Sequence, residues 1–401
     1  MEMANQIAAA LLIYSAAHLL YVYGGYGWLL TALARILPKQ EQSATPNPDN
    51  EWPDLTVLLT VFNEQEKIAA RLDNLLDQDY PGDRLHIVVA SDGSTDDTEA
   101  IVAQYMERHP NIRLVQSGGR KGKSGTQNIA MRTIRSEVVA LTDADTRFET
   151  DYLKNIARAF QDPEVGCVTA HLRFRELGGS ISANQGYYWR YELRLRELES
   201  HLGILAVASG QAMALRRDCF RELPSDVGDD CIIPLDTVLA GKRVVHRADA
   251  LAVDVMEAES VREFNSRVRM TLRNWIGTWR RPQLLNPLAH PGYAFALWSH
   301  KLLRWLGGPV FWLGAMSGTW LAFVGHPGPV PITMTLGFWA LVLQGWRQER
   351  QPATRRIPLA GTLFSFVLAN SGFTVGLWRA LTGQRIVTYR SGQKNAGTPA
   401  S

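Results

Sequence analysis

Apolar residues fall along this chain in three regimes. From Ile7 to Leu30 they run almost free of charge, interrupted by His18 alone. At about 20 residues per crossing, this run is long enough to span a bilayer as a helix. From Leu55 to His246 the pattern becomes short β-branched runs separated by stretches with apolar residues at helical spacing. Leu55–Val61, Leu85–Ala90, Ile112–Val115 and Glu137–Thr142 read as strands, and Glu64–Gln78, Asp96–Arg108 and Ser124–Ile134 as helices. Further on, Val165–Ala170, Leu172–Arg175, Gln211–Leu215 and Arg243–His246 are strand-like, whereas Tyr187–His201 and Gly228–Ala240 are helical. Such βαβα alternation predicts an α/β domain with a mostly parallel, doubly wound sheet.

The third regime begins at Glu263. Glu263–Arg281 mixes Phe264, Val268, Trp275 and Trp279 with Arg267, Arg269, Arg273, Arg280 and Arg281, which predicts an amphipathic basic helix at a membrane surface. Leu302–Val324, Val330–Trp346 and Ile357–Leu381 follow as three more apolar segments of membrane length. The expected organisation is a membrane helix over 1–36, a linker over 37–54 and an α/β domain over 55–260. Interfacial helices over 261–300, about three membrane helices over 301–382 and a tail over 383–401 complete it.

Charge at the segment ends gives an orientation. Arg35 and Lys39, then Lys301, Arg304, Arg347, Arg350, Arg355 and Arg356, fit a cytoplasmic α/β domain on a multi-pass protein of the inner (plasma) membrane. Arg385, Arg390 and Lys394 conflict with three further crossings, unless the last segment breaks near Asn370-Ser371-Gly372 and returns. No basic stretch precedes Ile7 and no small-residue cleavage site follows the run, so a retained anchor is favoured over a signal peptide. A net charge of +3 over 401 residues is too small to argue for nucleic acid. Cys167, Cys219 and Cys231 are sparse, odd in number and without metal-ligand spacing, as expected of reduced thiols.

The chemistry gathers after the strands. Val138–Thr142 ends in Asp143-Ala144-Asp145, and residues two apart in extended backbone face the same side. Two convergent carboxylates suit a hard divalent ion that takes its remaining oxygens from a substrate phosphate. The alternative is that they cap a helix starting near Glu149 or sit in a solvated turn. Asn63-Glu64, Asp92 to Asp97 and Gly118 to Ser124 follow the first three strands, so four loops can converge on one ligand. Asp92 and Glu64 can accept hydrogen bonds from a base or ribose, and Lys123 and Arg120 can meet phosphate. Asp96 or Asp97 can equally cap a helix, and the glycines around Lys121 can simply make a turn.

In this order the residues resemble the family-2 glycosyltransferases, inverting nucleotide-sugar enzymes with the GT-A fold. Thr60-Val61-Phe62-Asn63-Glu64, Ser91-Asp92-Gly93-Ser94-Thr95-Asp96, Gly122-Lys123-Ser124-Gly125-Thr126-Gln127-Asn128 and Asp143-Ala144-Asp145 match four successive motifs of that family. The flanking apolar segments resemble its membrane-integrated branch, which holds the hyaluronan, chitin-oligosaccharide, poly-N-acetylglucosamine and cellulose synthases. The resemblance implies that Asn63, Glu64, Asp92 and Lys123 contact the uridine end of a UDP-sugar. It also implies that Asp143 and Asp145 hold a diphosphate bound to Mg²⁺ or Mn²⁺. Asp230, in Gly228-Asp229-Asp230, corresponds to the catalytic base, which takes a proton from the acceptor hydroxyl. Neighbouring Asp229 can raise its pKa by like-charge repulsion; the alternative is that either residue caps the helix starting there. Of the final motif, Gln-x-x-Arg-Trp, only Arg269 matches. Trp275 lies further along as a substitute, and Arg269, with Arg267 or Arg273, can stabilise the departing diphosphate. Ser209-Gly210-Gln211 resembles an acceptor-side loop.

The expected activity is transfer of a sugar from a UDP-sugar onto a growing extracellular or cell-surface polysaccharide, coupled to its export. Expected partners are a glycan or lipid-linked acceptor, membrane lipids, and a second copy or accessory subunit. Two alternatives are a single-addition transferase making a glycolipid and an inactive nucleotide-binding membrane subunit.

Overall fold

The computed structural model describes residues 1–38, 52–175, 180–255, 259–351 and 357–386. Most of the expected linker, Lys39, Arg355, Arg356, Arg390 and Lys394 lie outside the described residues. The chain opens with α1 (Glu2–Leu20) and α2 (Tyr26–Ile36), joined by a π turn over Tyr21–Gly25 into one long helix. The α/β domain then runs β1 (Leu55–Val61), α3 (Ile68–Leu76), β2 (Leu85–Ser91), α4 (Thr98–Arg108), β3 (Ile112–Gln116), α5 (Gly122–Met131) and β4 (Val138–Thr142). It continues through β5 (Arg147–Phe148), α6 (Tyr152–Ala159), β6 (Val165–Arg175), α7 (Ser180–His201), β7 (Ala212–Arg216), α8 (Asp229–Leu239) and β8 (Arg243–Val255).

The eight strands form one sheet in the order β3-β2-β1-β4-β7-β6-β8-β5. Its first four strands are parallel, as the alternation predicts. Beyond β4 the sheet is mixed: β7 runs antiparallel to both β4 and β6 and β5 antiparallel to β8, whereas β6 and β8 pair in parallel. An apolar run encodes burial and not direction, so the reversal of β7 after the long α7 is invisible to periodicity. That reversal matters, because Thr142 pairs with Ala212 and the segment preceding β7 therefore reaches the edge where β4 ends. The two runs read separately over 165–175 are one strand, kinked by a register shift between Ala170 and His171.

Both faces of the sheet are covered, which is why β1 is apolar at nearly every position. Val57, Leu59 and Val61 pack on Ile68, Leu72 and Leu75 of α3 and on α6. Leu58, on the opposite side, joins Met131, Ile232, Ile233, Leu272 and Ile276 from α5, α8 and α9 (Ser260–Trp279). The chain ends in α10 (Pro291–Ala296), a π segment over Leu297–Leu302, α11 (Leu303–Trp320), α12 (Pro329–Arg350) and α13 (Pro358–Leu381).

Four membrane crossings are expected, but among the described residues two helices are long and apolar enough to cross: Glu2–Ile36 and Pro358–Leu381. Glycine, tryptophan, serine and threonine dilute the apolar character of α11 and α12, and α12 ends in Arg347, Glu349 and Arg350. The break considered near Asn370 is absent: α13 is continuous, and buried Asn370 donates to the Phe366 carbonyl and accepts from the Tyr23 hydroxyl. Helix α9 is covered on one face by α13. It packs on α13 so closely that a Cβ on Gly376 would lie 2.7 Å from Thr271 and 2.8 Å from the Val268 carbonyl.

Candidate active site

The carboxyl ends of β1, β2, β3 and β4 meet at one edge of the sheet, and each is followed by a polar loop. Asn63 leaves β1 with a φ of 54°, a left-handed conformation that asparagine tolerates better than most residues. Its side chain accepts from the Thr95 amide at 2.8 Å and donates to the Thr95 hydroxyl at 3.2 Å, joining the first loop to the second. Gly93, with φ of 74°, lets the second loop approach the third: a Cβ there would lie 3.1 Å from the Gly119 Cα. Asp92 is buried and fully engaged. Its carboxylate accepts from the amides of Lys121 (2.6 Å) and Gly122 (3.0 Å), the Thr126 hydroxyl (2.9 Å) and Arg120 Nε (3.1 Å). Asp92 thus shapes the third loop, and Arg120 lies 3.4 Å above the Phe62 ring. Asp96 provides the capping interaction at α4, accepting from the Thr98 amide at 3.1 Å.

Asp143 and Asp145 sit in the bend between β4 and β5 and cap no helix, since Asp151 is the residue preceding α6. Lys123 Nζ lies 2.8 Å from Asp143 and 3.2 Å from Asp229, so one ammonium ties the strand-end carboxylate to the acid pair at the start of α8. Burial disfavours its charge, yet those two carboxylates outweigh the penalty and raise its pKa. Lys67 plays the equivalent part for Asp145 (3.6 Å) and Glu64 (3.3 Å). Burial pushes the Glu64 carboxyl up in pKa, against the pull of Lys67.

Asp229 and Asp230 occupy the first turn of α8, after Gly228. Asp229 is held by Lys123 and by Gln127 Nε2 at 2.9 Å, and it stays below the usual carboxylate range because these contacts and Arg273 overcome its burial. Asp230 has the opposite environment: burial and the adjacent Asp229 raise its pKa. Two neighbouring carboxylates driven apart in this way separate a permanent anion from a proton acceptor.

The loop Ala208–Gln211 closes on this pair. The Ala208 amide donates to the Asp230 carbonyl at 3.3 Å, and a Cβ on Gly210 would lie 2.9 Å from Asp229 Oδ1. Ser209 is buried and its hydroxyl accepts from Arg196, while Gln211 donates to Asp254 at 3.1 Å. Arg273 of α9 donates to the Val227 carbonyl and reaches Ser124 Oγ at 3.5 Å, beside the acid pair. Two other residues of that helix face elsewhere. Arg267 pairs with Glu263 and lies 5.7 Å from the Phe373 ring of α13. Trp275 packs against Trp279 (5.9 Å) and Trp305 (6.1 Å), in the seam between α9 and α11. Arg269 is partly exposed on the same helix.

Lys67 and Arg71 are the residues that sequence reasoning passed over. Arg71 is fully buried beneath the Asp143 bend, donating to Thr142 Oγ1 at 2.7 Å and lying 4.2 Å from the Phe148 ring. Burial lowers its pKa to about 9. The available signal was an arginine within the apolar stripe Ile68, Leu72, Leu75, where a charge demands a buried partner. For a divalent ion the donors are Asp143 and Asp145, with no third His, Cys, Asp or Glu completing a cluster among the described residues. Two hard carboxylates fit an ion that completes its shell on a diphosphate.

Residues 56–223 match the family model described as glycosyl transferase family 2. An N-acetylglucosaminyltransferase of Rhizobium meliloti (strain 1021) is 28% identical over 255 residues, covering 58% of this chain and 59% of the relative. A beta-monoglucosyldiacylglycerol synthase of Synechocystis sp. is 27% identical over 161 residues, covering 37% of this chain and 34% of the relative. The chain therefore spans between about a third and three fifths of the curated relatives it matches. In overall fold it is similar to mannosyltransferase PcManGT from Pyrobaculum calidifontis, solved in complex with GDP-Man and Mn²⁺. The TM-score is 0.73 at 24% identity, covering 94% of this chain and 99% of that one.

Proposed function

We infer, for a chain whose residues 56–223 match the family-2 glycosyltransferase model, that it transfers a sugar with inversion from a UDP-sugar to an acceptor hydroxyl beside the membrane. The observation that carries this reading is Lys123 bridging Asp143 and Asp229 at 2.8 and 3.2 Å. The bridge joins the loop suited to a diphosphate to the acids suited to an acceptor.

In this reading Asp230 takes the proton of the acceptor hydroxyl as that oxygen bonds to the anomeric carbon. The bond from that carbon to the diphosphate breaks with its electron pair leaving on the nucleoside diphosphate. Lys123 and Arg273 stand where that charge develops, with Arg269 further along the same helix. Asn63, Glu64 and the loop shaped by Asp92 form the nucleoside end. Mg²⁺ or Mn²⁺ held by Asp143 and Asp145 would neutralise part of the diphosphate charge. Helices Glu2–Ile36 and Pro358–Leu381 anchor the enzyme; Ile13, Leu20, Trp28, Leu359 and Trp378 leave their apolar surfaces open, as suits lipid contact.

A growing polysaccharide is the product first expected, and the N-acetylglucosaminyltransferase likeness supports an N-acetylglucosamine donor for either product. One observation favours a glycolipid instead. Trp275, the substitute for the missing motif tryptophan, is packed against Trp279 and Trp305, which removes it as a stacking platform for a sugar chain. The test is release of nucleoside diphosphate by the full chain in nanodiscs, offered UDP-glucose, UDP-N-acetylglucosamine and GDP-mannose with Mn²⁺ or Mg²⁺. Products are sized in the same incubations. Long chains select the polymer and one defined glycolipid selects single addition; silence with every donor rejects the enzyme.

A further inference from the structure

The densest set of buried charges lies outside the strand-end loops. Glu192 of α7, 2% exposed, meets Arg304 at 2.6 Å, Lys301 at 2.7 Å, His300 Nε2 at 2.9 Å and Arg196 at 3.3 Å. Two turns on, Glu199 accepts from the Tyr26 hydroxyl at 2.8 Å and faces His300 Nδ1 at 2.7 Å. Both ring nitrogens of His300 therefore face carboxylates. The π segment Leu297–Leu302 carries His300 and Lys301 into this cluster, with Arg304 just beyond it. The N-terminal helix enters through Tyr26 and through Gly27, where a Cβ would lie 2.9 Å from the Tyr191 ring.

Desolvating this many charges opposes folding, and apolar packing would fill the same space at lower cost. The arrangement is better understood through its one outlet. Arg196, 5% exposed, shares Glu192 with Lys301, Arg304 and the His300 ring, and turns its remaining nitrogen to Ser209 Oγ at 2.6 Å. Ser209 is flanked by Ala208, bonded to the Asp230 carbonyl, and by Gly210, packed on Asp229.

We propose that Arg196 is a positioning residue that sets the loop Ala208–Gln211 against Asp230, held in register from the N-terminal helix and the α10–α11 junction by Glu192, His300 and Glu199. This rests on the reading of Asp230 as the base and of that loop as its acceptor side. Arg196 touches no reacting atom; its charge and reach act through Ser209.

The test uses the full chain in nanodiscs with Arg196→Met and Arg196→Lys, the latter keeping the charge beside Glu192 but losing the fork that reaches both partners. Donors are those of the panel above, and acceptors are chitotetraose and diacylglycerol vesicles. Each variant should raise the acceptor KM about tenfold or more, with donor KM and acceptor-free release of nucleoside diphosphate within about twofold of wild type. Equal losses in donor and acceptor parameters, or no change in either, would overturn the proposal. Amide exchange over residues 205–211 is measured alongside and needs no turnover. Acceleration of about tenfold in the variants supports the coupling, and unchanged exchange rejects it. Wild type silent with every donor and acceptor, but with exchange accelerated in the variants, would sink the enzymatic reading and leave the mechanical one standing. If Arg196→Met does not fold, Arg196→Lys carries both arms.

Discussion

Two charge clusters flank Asp230, and they are built for opposite purposes. In the strand-end cluster Lys123, Asp143, Lys67 and Asp145 keep 30 to 53% of their side-chain surface exposed. In the cluster around His300, Glu192 and Glu199 keep 2% or less. A half-exposed pair in water contributes little to stability and exchanges partners readily, so a lysine can leave its carboxylate for a phosphate and the carboxylate can take a metal. A sealed pair cannot, because an orphaned buried charge costs several kcal/mol. Exposure thus separates a cluster open to exchange from a cluster that holds.

The sharpest break comes at the group between them. Asp230→Asn keeps shape but removes the proton acceptor, and kcat should fall about 10²- to 10⁴-fold while donor KM and melting temperature stay close to wild type. Assay of nucleoside diphosphate release with acceptor present checks it; a mild loss would move the base elsewhere. Next in size, Glu192→Ala removes the carboxylate that Arg196, Lys301, Arg304 and His300 share. Stability should drop by about 3–5 kcal/mol, read by denaturant unfolding in detergent. A loss below about 1 kcal/mol would place that cluster with the exposed one.

How far each cluster was legible in the sequence follows the same division. Asp143, Asp145 and Lys123 announce themselves because each sits just after a strand or in the first turn of a helix, where local pattern fixes position, and the Asp229-Asp230 pair through its resemblance to a family motif. The four parallel strands were legible for the same reason. The His300 cluster draws on residues 26, 192 to 199 and 300 to 304, and its convergence depends on how three distant helices pack. Nothing in Trp298-Ser299-His300-Lys301 hints that a π segment will turn His300 between two glutamates. The reversal of β7 was hidden likewise, although it is what delivers Ser209 to the site. Ser209 itself was singled out as an acceptor contact, yet its hydroxyl is taken by Arg196, which composition could not indicate.

A smaller effect probes the acid pair. As the proposed base, Asp230 must be deprotonated to act, so activity should rise with pH as it ionises. Burial and the Asp229 charge hold its pKa above the usual carboxylate range, opposed by Arg273, Lys123 and Arg196. Asp229→Asn removes the repulsion and leaves the cations, so the acid limb of the kcat/KM profile should move to lower pH. A limb that stays or moves up would show that another group controls it.

The smallest expected change tests the claim that the exposed cluster is made for exchange. Lys67 is 44% exposed and Asp145 53%, at 3.6 Å. Lys67→Ala should therefore alter unfolding free energy by less than about 1 kcal/mol. Its ammonium nonetheless competes with a divalent ion for Asp145. Without it, the Mn²⁺ concentration giving half-maximal activity should fall by up to about fivefold, the equivalent of the same 1 kcal/mol. If that concentration rises instead, Lys67 is helping to orient Asp145 for the metal rather than holding its place, and the strand-end cluster would then share the fixed character of the one around His300.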